Sequence, residues 1–450
     1  MRVLKFGGTS VGDAASIRTV AEIVTPLRGQ PMVLVFSAMG KSTDQLAQVG
    51  ELAARGDLTE SLRVIAELRG QHLEVARALL PDGPRRRQLL EFCAEAFRTL
   101  EEMARGMSVL ADFSPAVQDR VLGFGEVLST KILAAFLAQH GLPVVWVDAR
   151  QLIITDQQHT HAEPLWPETA ARCRQRLIPL LQKGKIPLTQ GYIASSSSGQ
   201  PTTLGRGGSD FTAALIGAAL QAEEIQIWTD VDGILTADPS LAPHARNIPV
   251  MSFQEAAELA FFGARVLHPK SLVPAVERGI PVRVRNTHKP ENEGTLILAR
   301  AMDNGEGVKS IAYKEGMTLI HLVSARMFKA HGFLRQVFDV LDRHRVSADL
   351  VATSEVSVAI ALQDASRLQD LVRELQTLGA VAVKAWQAVV CVVGEKLKDR
   401  PGIVGQVFQD LADVKVSMVS QGGSEINLSF VIDEDDLPTV IRRLHHRFFE

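Results

Sequence analysis

Through the first 300 residues, short β-rich runs alternate with longer stretches of helical periodicity, and that alternation leaves few architectures open. The runs are Arg2 to Phe6, Met32 to Ala38, Val144 to Asp148, Ile186 to Ile193, Ile225 to Asp230 and Pro281 to Arg285. Strands separated by helices pair in parallel, and the crossover helices then cover the sheet. The expected class is α/β, with a mostly parallel central sheet covered by helices on both faces. Between Asp44 and Gln139 no strand signal intervenes, and Arg86 to Leu100 carries apolar residues at helical spacing. This stretch reads as a helical lobe over about 44–139, inserted in the α/β domain and suited to closing on a substrate.

Near Ala301-Met-Asp-Asn-Gly-Glu-Gly307 the composition turns polar and glycine-containing, which marks a domain boundary. The C-terminal third repeats itself. Gly332 to Phe338 (GFLRQVF) aligns with Gly402 to Phe408 (GIVGQVF), and Ser354-Glu355 aligns with Ser424-Glu425, both at an offset of 70 residues. A shared offset in two separate blocks marks an internal duplication. Each copy reads glycine, helix, strand, turn, strand, an α+β module. The expected division is 1–300, a linker and the start of the next region over 301–314, one module over 315–390 and another over 391–450, with strands exchanged between the modules.

The chain has 450 residues, 46% hydrophobic and 22% charged, enough to bury large cores as a soluble protein. Its 48 basic and 51 acidic residues leave a net charge of -3, so no broad positive field favours nucleic acid or an anionic membrane. Cys93, Cys173 and Cys391 lack any CxxC or Cys/His spacing, and neither a disulfide framework nor a zinc site is expected. The start MRVLKFGG is too short for a signal sequence, no continuous run of about 18 apolar residues occurs, and a cytoplasmic location is expected.

Two glycine turns carry the chemistry. Lys5-Phe6-Gly7-Gly8-Thr9-Ser10 ends the first strand, and Gly205-Arg206-Gly207-Gly208-Ser209-Asp210 precedes a helix of small residues. Glycine lets backbone N–H groups approach phosphate oxygens, and a helix N-terminus favours an anion. Lys5 and Arg206 add countercharge, so the two turns together suggest one phosphate site. Gly40-Lys41-Ser42 resembles the end of a phosphate loop, but Val35 stands where its first glycine belongs. Asp210 either caps the small-residue helix or pairs with Lys5 and orients it. Thr229 and Asp230, at a strand's carboxyl end, are nucleotide candidates.

The ordered set KFGGTSVGD, FSAMGKSTDQL, GFGEVLST, TTLGRGGSD, IWTDVDGILTADP and FGARVLHP resembles the aspartate kinases of the amino-acid kinase family. The resemblance covers residues 1 to about 300, and the repeat is similar to the paired ACT regulatory domains of those enzymes. It implies an amino-acid kinase fold with two ACT modules. It also implies ATP- and Mg2+-dependent phosphorylation of the L-aspartate side chain to 4-phospho-L-aspartate, the committed step toward lysine, threonine and methionine. No dehydrogenase-sized segment comes after the repeat, so the monofunctional type is expected. Lys5 and Asp210 become the catalytic pair by this resemblance. Ser37, Thr43, Glu126, Arg206 and Ser209 would hold aspartate, and Lys5, Gly7, Gly8, Thr229, Asp230 and Arg265 the nucleotide. Arg206 would clamp the α-carboxylate and Glu126 the α-ammonium. No protein metal ligand is implied. Alternatives are another kinase of the same fold acting on a carboxylate or phosphate, or a non-catalytic amino-acid sensor.

Leu235, Ser240 and Arg265 stand where the family has tyrosine, arginine and lysine, which puts nucleotide-side recognition in question. His268-Pro269 reads as a helix end. In the first repeat Met327, Phe333, Leu334, Asp349, Ser354 and Glu355 match an effector site of the lysine-sensitive type, although Ala330 replaces a serine. Asp349 and Glu355 would recognise a distal ammonium, which favours lysine over threonine. A homodimer through the ACT modules is expected.

Overall fold

The computed structural model describes residues 1–263, 267–300, 307–363 and 367–450. They form two compact units, one of 1–234, 249–253 and 266–301, the other of 235–248, 254–265 and 302–450. The chain runs through β1 (Arg2–Phe6), α1 (Ala14–Val24), β2 (Met32–Phe36), α2 (Ser42–Ala54), α3 (Leu58–Leu79), α4 (Pro84–Leu110) and α5 (Pro115–Gln139). Then come β3 (Val144–Val147), β4 (Ile154–Thr155), α6 (Trp166–Gln182), β5 (Ile186–Gln190), β6 (Ile193–Ser196), β7 (Pro201–Thr203), α7 (Gly208–Leu220) and β8 (Glu224–Thr229). β9 (Val250–Ser252), α8 (Phe253–Phe261), α9 (Pro269–Val276), β10 (Val282–Asn286) and β11 (Thr295–Leu298) complete the run to residue 300.

The first unit is built on an eight-stranded sheet of order β3-β5-β2-β1-β8-β10-β11-β9, parallel except where β10 meets β11. β1 lies between β2 and β8, with Lys5 opposite Val35 on one side and Ile227 on the other. β2 and β5 are buried along their whole length, as strands covered on both faces must be. The four long helices after β2 begin and end on local signals. Asp57 caps α3 by accepting from the Glu60 amide at 3.2 Å, Pro84 and Pro115 open α4 and α5, and Ala111 closes α4 at φ 49°. Their apolar faces share one core with the sheet, in which Leu46, Ile65, Phe97 and Leu133 join Leu4, Phe6, Leu34 and Phe36.

Helix α5, with 25 residues, is long and apolar enough to cross a membrane, which a search for continuous apolar runs passes over because polar residues interrupt it. It serves instead as a core helix. Val121, Leu128, Ile132 and Leu137 are buried, and so are its polar residues Asp119 and Glu126. His268 does not end a helix as expected; it stands just before the start of α9 without a side-chain capping bond, with Pro269 in the first turn.

The second unit adds β12 (Gly307–Val323), α10 (Phe333–Arg343), β13 (Leu350–Thr353), β14 (Ser357–Leu362), α11 (Leu368–Leu375), β15 (Ala380–Glu395), α12 (Ile403–Gln409), β16 (Met418–Gln421), β17 (Asn427–Asp433) and α13 (Leu437–Phe449). Gly332 and Gly402 take φ 79° and 80° at the entries of α10 and α12, so the duplicated glycines do the same conformational work. The strands form one antiparallel sheet of order β13-β14-β12-β15-β17-β16. β12 and β15 each run through both halves: Ile320 and Leu322 enter a core with Val337 and Leu371, while Ile311 enters another with Val407 and Ile441. Residues 235–248 cluster with this unit. Ser310 Oγ donates to the Leu235 carbonyl at 2.8 Å, and Tyr313 OH donates to Asp238 Oδ2 at 2.9 Å.

Candidate active site

The carboxyl ends of β2, β1 and β8 lie side by side in register, and their loops gather at one edge of the sheet, where open α/β sheets bind ligands. The parallel ladder continues one residue beyond the strands. Gly7 N–H donates to the Trp228 carbonyl at 2.9 Å, Ser37 N–H to Phe6 at 3.2 Å, Gly191 N–H to Phe36 at 2.8 Å and Thr287 N–H to Thr229 at 2.8 Å. This corrects the expectation that the Gly7 amide faces phosphate, because strand pairing already engages it. Gly8 is different. A Cβ there would stand 2.9 Å from the Gly40 carbonyl and 3.1 Å from that of Ala38, so only glycine lets these two loops approach so closely.

Lys5, the penultimate residue of β1, and Asp210, in the first turn of α7, bring the two glycine turns together. Lys5 Nζ lies 2.7 Å from Asp210 Oδ1, with both side chains nearly buried. The contact is an ion pair rather than an aligned hydrogen bond, since Oδ1 has no hydrogen-bond partner among the described residues. Among the described residues Asp210 shows the pairing with Lys5 and no capping bond to α7. The α7 entry needs two left-handed glycines, Gly205 at φ 73° and Gly207 at φ 71°, on either side of Arg206. Arg206 is exposed and in no ion pair among the described residues. Ser209 packs against Gly191, where a Cβ would come within 2.5 Å of Ser209 Oγ.

Glu126 on α5 is the anomalous acid. It is 3% exposed, and its Oε2 has no hydrogen-bond partner among the described residues. Burial pushes its carboxyl up to about 8, against a weaker opposing pull from its own backbone amide and that of Ala38. The neighbouring Gly125 lets α5 close on the β2 loop, since a Cβ there would stand 2.9 Å from Ala38 Cβ. Tyr192 packs at the second glycine turn, where its ring would lie 2.8 Å from a Cβ on Gly208. Ser37 and Thr43 are half-buried at the end of β2 and the start of α2.

On the nucleotide side Thr229 is half-buried and Asp230 exposed, with Thr229 Oγ1 donating to Asp230 Oδ1 at 3.2 Å. The loop after them is pinned by Asp232, which takes Lys289 Nζ at 2.7 Å and Asn286 Nδ2 at 2.6 Å. Arg265 lies outside the described residues. Among the described residues no group of three or more His, Cys, Asp or Glu could hold a metal ion.

A profile of the amino acid kinase family matches residues 1–286, and an ACT domain profile matches 390–448. Lysine-sensitive aspartokinase 3 of Escherichia coli is 36% identical over 461 residues, which span 100% of this chain and 99% of that one. The chain belongs to the aspartokinase family. The crystal structure of E. coli aspartokinase III with aspartate and ADP, designated R-state, has a TM-score of 0.85 at 35% identity and covers 100% of both chains. The same enzyme with lysine and aspartate, designated T-state, gives 0.84. Chloroplastic aspartokinase 2 of Arabidopsis thaliana is 35% identical, spanning 100% of this chain and 84% of its own.

The residues expected to bind an effector in this aspartokinase are less vacant than the sequence suggests. Asp349 reads in the sequence as an acid awaiting an ammonium group, yet Lys314 Nζ sits 2.5 Å from its Oδ1, and Gln363 N–H donates to its Oδ2 at 3.0 Å. The same Lys314 ammonium lies 4.3 Å from the centre of the Phe261 ring. Phe333 is 6% exposed and belongs to the core beneath α10, so its side chain is packing and only its backbone can face a ligand. Leu334, Ser354 and Glu355 are exposed and Met327 half-buried, with Ser354 Oγ 2.8 Å from Ser357 Oγ. No sequence signal points to Lys314, because the ion pair joins a residue on β12 to one 35 positions later, just before β13.

Proposed function

We propose that Lys5, held by Asp210, shields the phosphoryl group that this aspartokinase moves from ATP to the side-chain carboxylate of L-aspartate. The 2.7 Å ion pair between the two glycine turns carries this reading. A side-chain carboxylate with a pKa of about 3.9 is already ionised at neutral pH, so the acceptor needs no general base. What the transfer needs is alignment of two anions and neutralisation of charge on the moving group. The Lys5 ammonium and the Gly8 amide supply it from one side, and Asp210 keeps that ammonium from swinging away. Mg2+, when bound, screens the nucleotide phosphates. The unpaired Arg206 takes the α-carboxylate in the two-point geometry that guanidinium offers, and Glu126 takes the α-ammonium. Support for the last role comes from a buried carboxyl oxygen with no partner among the described residues. A cytoplasmic location fits a chain whose longest apolar helix lies in its own core. Release of ADP and trapping of acyl phosphate by hydroxylamine, tried with aspartate, glutamate, acetylglutamate and UMP, test the reading. Aspartate alone is expected to give both products, and turnover with another acceptor in its place would overturn the assignment.

Feedback by L-lysine obeys the same chemistry of charge. The ε-ammonium of the effector competes with Lys314 for Asp349, and displacing Lys314 also removes its cation from Phe261, the last residue of α8. An effector moves an equilibrium only through different affinity for two states, commonly about 1–3 kcal/mol. Lys314→Met is therefore expected to bind lysine several-fold more tightly by calorimetry while being inhibited less completely by it. Equal binding and equal inhibition would contradict this competition.

The ACT modules join two copies of the chain in this reading. Exposed apolar side chains on the second unit support it: Phe328 at 58%, Phe338 at 44%, Val383 at 41% and Trp386 at 76%. Trp386 also holds φ 55°, unusual for a bulky residue. Trp386→Lys is expected to shift sedimentation toward the monomer, and an unchanged dimer would remove Trp386 from the interface.

A further inference from the structure

One buried acid in the first unit has no part in phosphoryl transfer. Asp119 lies on α5 two turns before Glu126, with its side chain fully buried. Its carboxylate accepts from Thr203 Oγ1 at 2.6 Å and from the Thr160 amide at 3.0 Å, and His159 Nδ1 stands 2.6 Å away. The segment it grips is strained. Thr160 takes φ 70°, which a β-branched residue adopts only where its surroundings over-determine it. That segment in turn lies against the second glycine turn: a Cβ on Gly205 would be 3.2 Å from the Thr160 carbonyl and 3.2 Å from His161 Cβ. A further bond, Ala162 N–H to the Thr203 carbonyl at 2.9 Å, ties the segment to β7, which leads into the same turn.

We infer that Asp119 is a positioning residue: its buried carboxylate holds Thr160 in the left-handed conformation against Gly205 and thereby sets the direction of Arg206. This rests on the reading of Arg206 as the clamp on the α-carboxylate of aspartate. Helix α5 then governs both ends of the amino acid, one through Glu126 and the other through Asp119, Thr160 and the turn. A purely structural acid would need no strained partner, and the hairpin of β6 and β7 already has its own pairing. The strain makes the claim testable, because glycine adopts φ 70° freely and should no longer need the carboxylate.

The experiment compares steady-state kinetics of the full chain carrying Asp119→Asn, Thr160→Gly, both together, and Arg206→Ala. Misplacement of a binding group by about 1 Å costs up to roughly a hundredfold, so Asp119→Asn is expected to raise the KM for aspartate about tenfold or more while the KM for ATP moves less than about twofold. Thr160→Gly in the Asp119→Asn background is expected to recover most of that loss. Should Asp119→Asn fail to fold, soluble protein with near-native aspartate KM from the double variant supports the inference, and an insoluble double variant overturns it. A double variant as impaired as Asp119→Asn, or equal rises in both KM values, also overturns it. An unchanged aspartate KM in Arg206→Ala would remove the underlying reading; a raised one beside an unchanged Asp119→Asn would remove only this inference.

Discussion

Replacing Lys5 by methionine is expected to lower kcat for aspartate-dependent ADP release by about a thousandfold, with a much smaller change in either KM. Methionine preserves most of the stem that packs beside β2 and β8, so the loss isolates the charge. Two effects add. The moving phosphoryl group loses its nearest fixed cation, and Asp210, 11% exposed in its side chain, becomes an uncompensated negative charge beside it. Breaking one partner of a buried pair also costs stability, about 3 kcal/mol, so the variant melts lower as well. Lys5→Arg is not expected to restore the rate, because a planar fork cannot occupy the position of a compact ammonium 3.7 Å from the Cβ site of Gly7. Stopped assays at saturating ATP and aspartate, with a thermal melt on the same samples, check both parts.

Glu126→Gln is expected to make the enzyme more stable at neutral pH and much worse at binding aspartate. With its carboxyl pushed up to about 8 by burial, Glu126 stays protonated in the folded chain at pH values where the unfolded chain has ionised. Below the ordinary value of 4.5 both states are protonated and nothing is lost. From there to about 8 folding stability falls as pH rises, by about 3 kcal/mol at pH 7, and above 8 both states are ionised and the loss is complete. Glutamine escapes this penalty, so the variant should melt higher than the native chain at pH 7 and equally near pH 4.5.

Substrate binding reverses the preference. The α-ammonium of aspartate needs the ionised carboxylate, so in the native enzyme the KM for aspartate falls as pH rises through about 8 and binding below it releases a proton. Glu126→Gln abolishes that pH dependence and raises the KM roughly a hundredfold at pH 8.5, the cost of losing a desolvated charge pair. If Glu126 were only a packing residue, the stability gain would appear without the binding loss.

The parallel sheet was legible because β2 is apolar throughout and short strand runs alternate with helical patterns along the first 300 residues. The duplication was legible because Gly332 and Gly402 are needed for the same left-handed turn. Lys5 and Asp210 share a visible logic too, a cation and an anion each at the edge of a glycine turn. What stayed hidden depends on which partner a group finds. The Gly7 amide looks like a phosphate donor until the ladder to Trp228 engages it. Asp349 looks like a waiting acid until β12 brings Lys314 to it, and Phe333 looks like a ligand contact until α10 turns it into the core. The duty of Asp119 depends on a strained backbone at Thr160 that no residue type announces. Local pattern encodes elements; a pairing such as that of Lys314 with Asp349, 35 positions apart, comes only from the fold.

A double-mutant cycle over Lys5→Met and Asp210→Asn, read in kcat, bears most directly on the claim that these two residues act as one device. If Asp210 works by holding the ammonium, its removal costs about a hundredfold alone but nothing once Lys5 is gone, where it also removes the uncompensated charge, so the double variant is as fast as Lys5→Met or faster. Multiplying effects in the double variant would mean two independent roles, and full activity in either single variant would contradict the site itself.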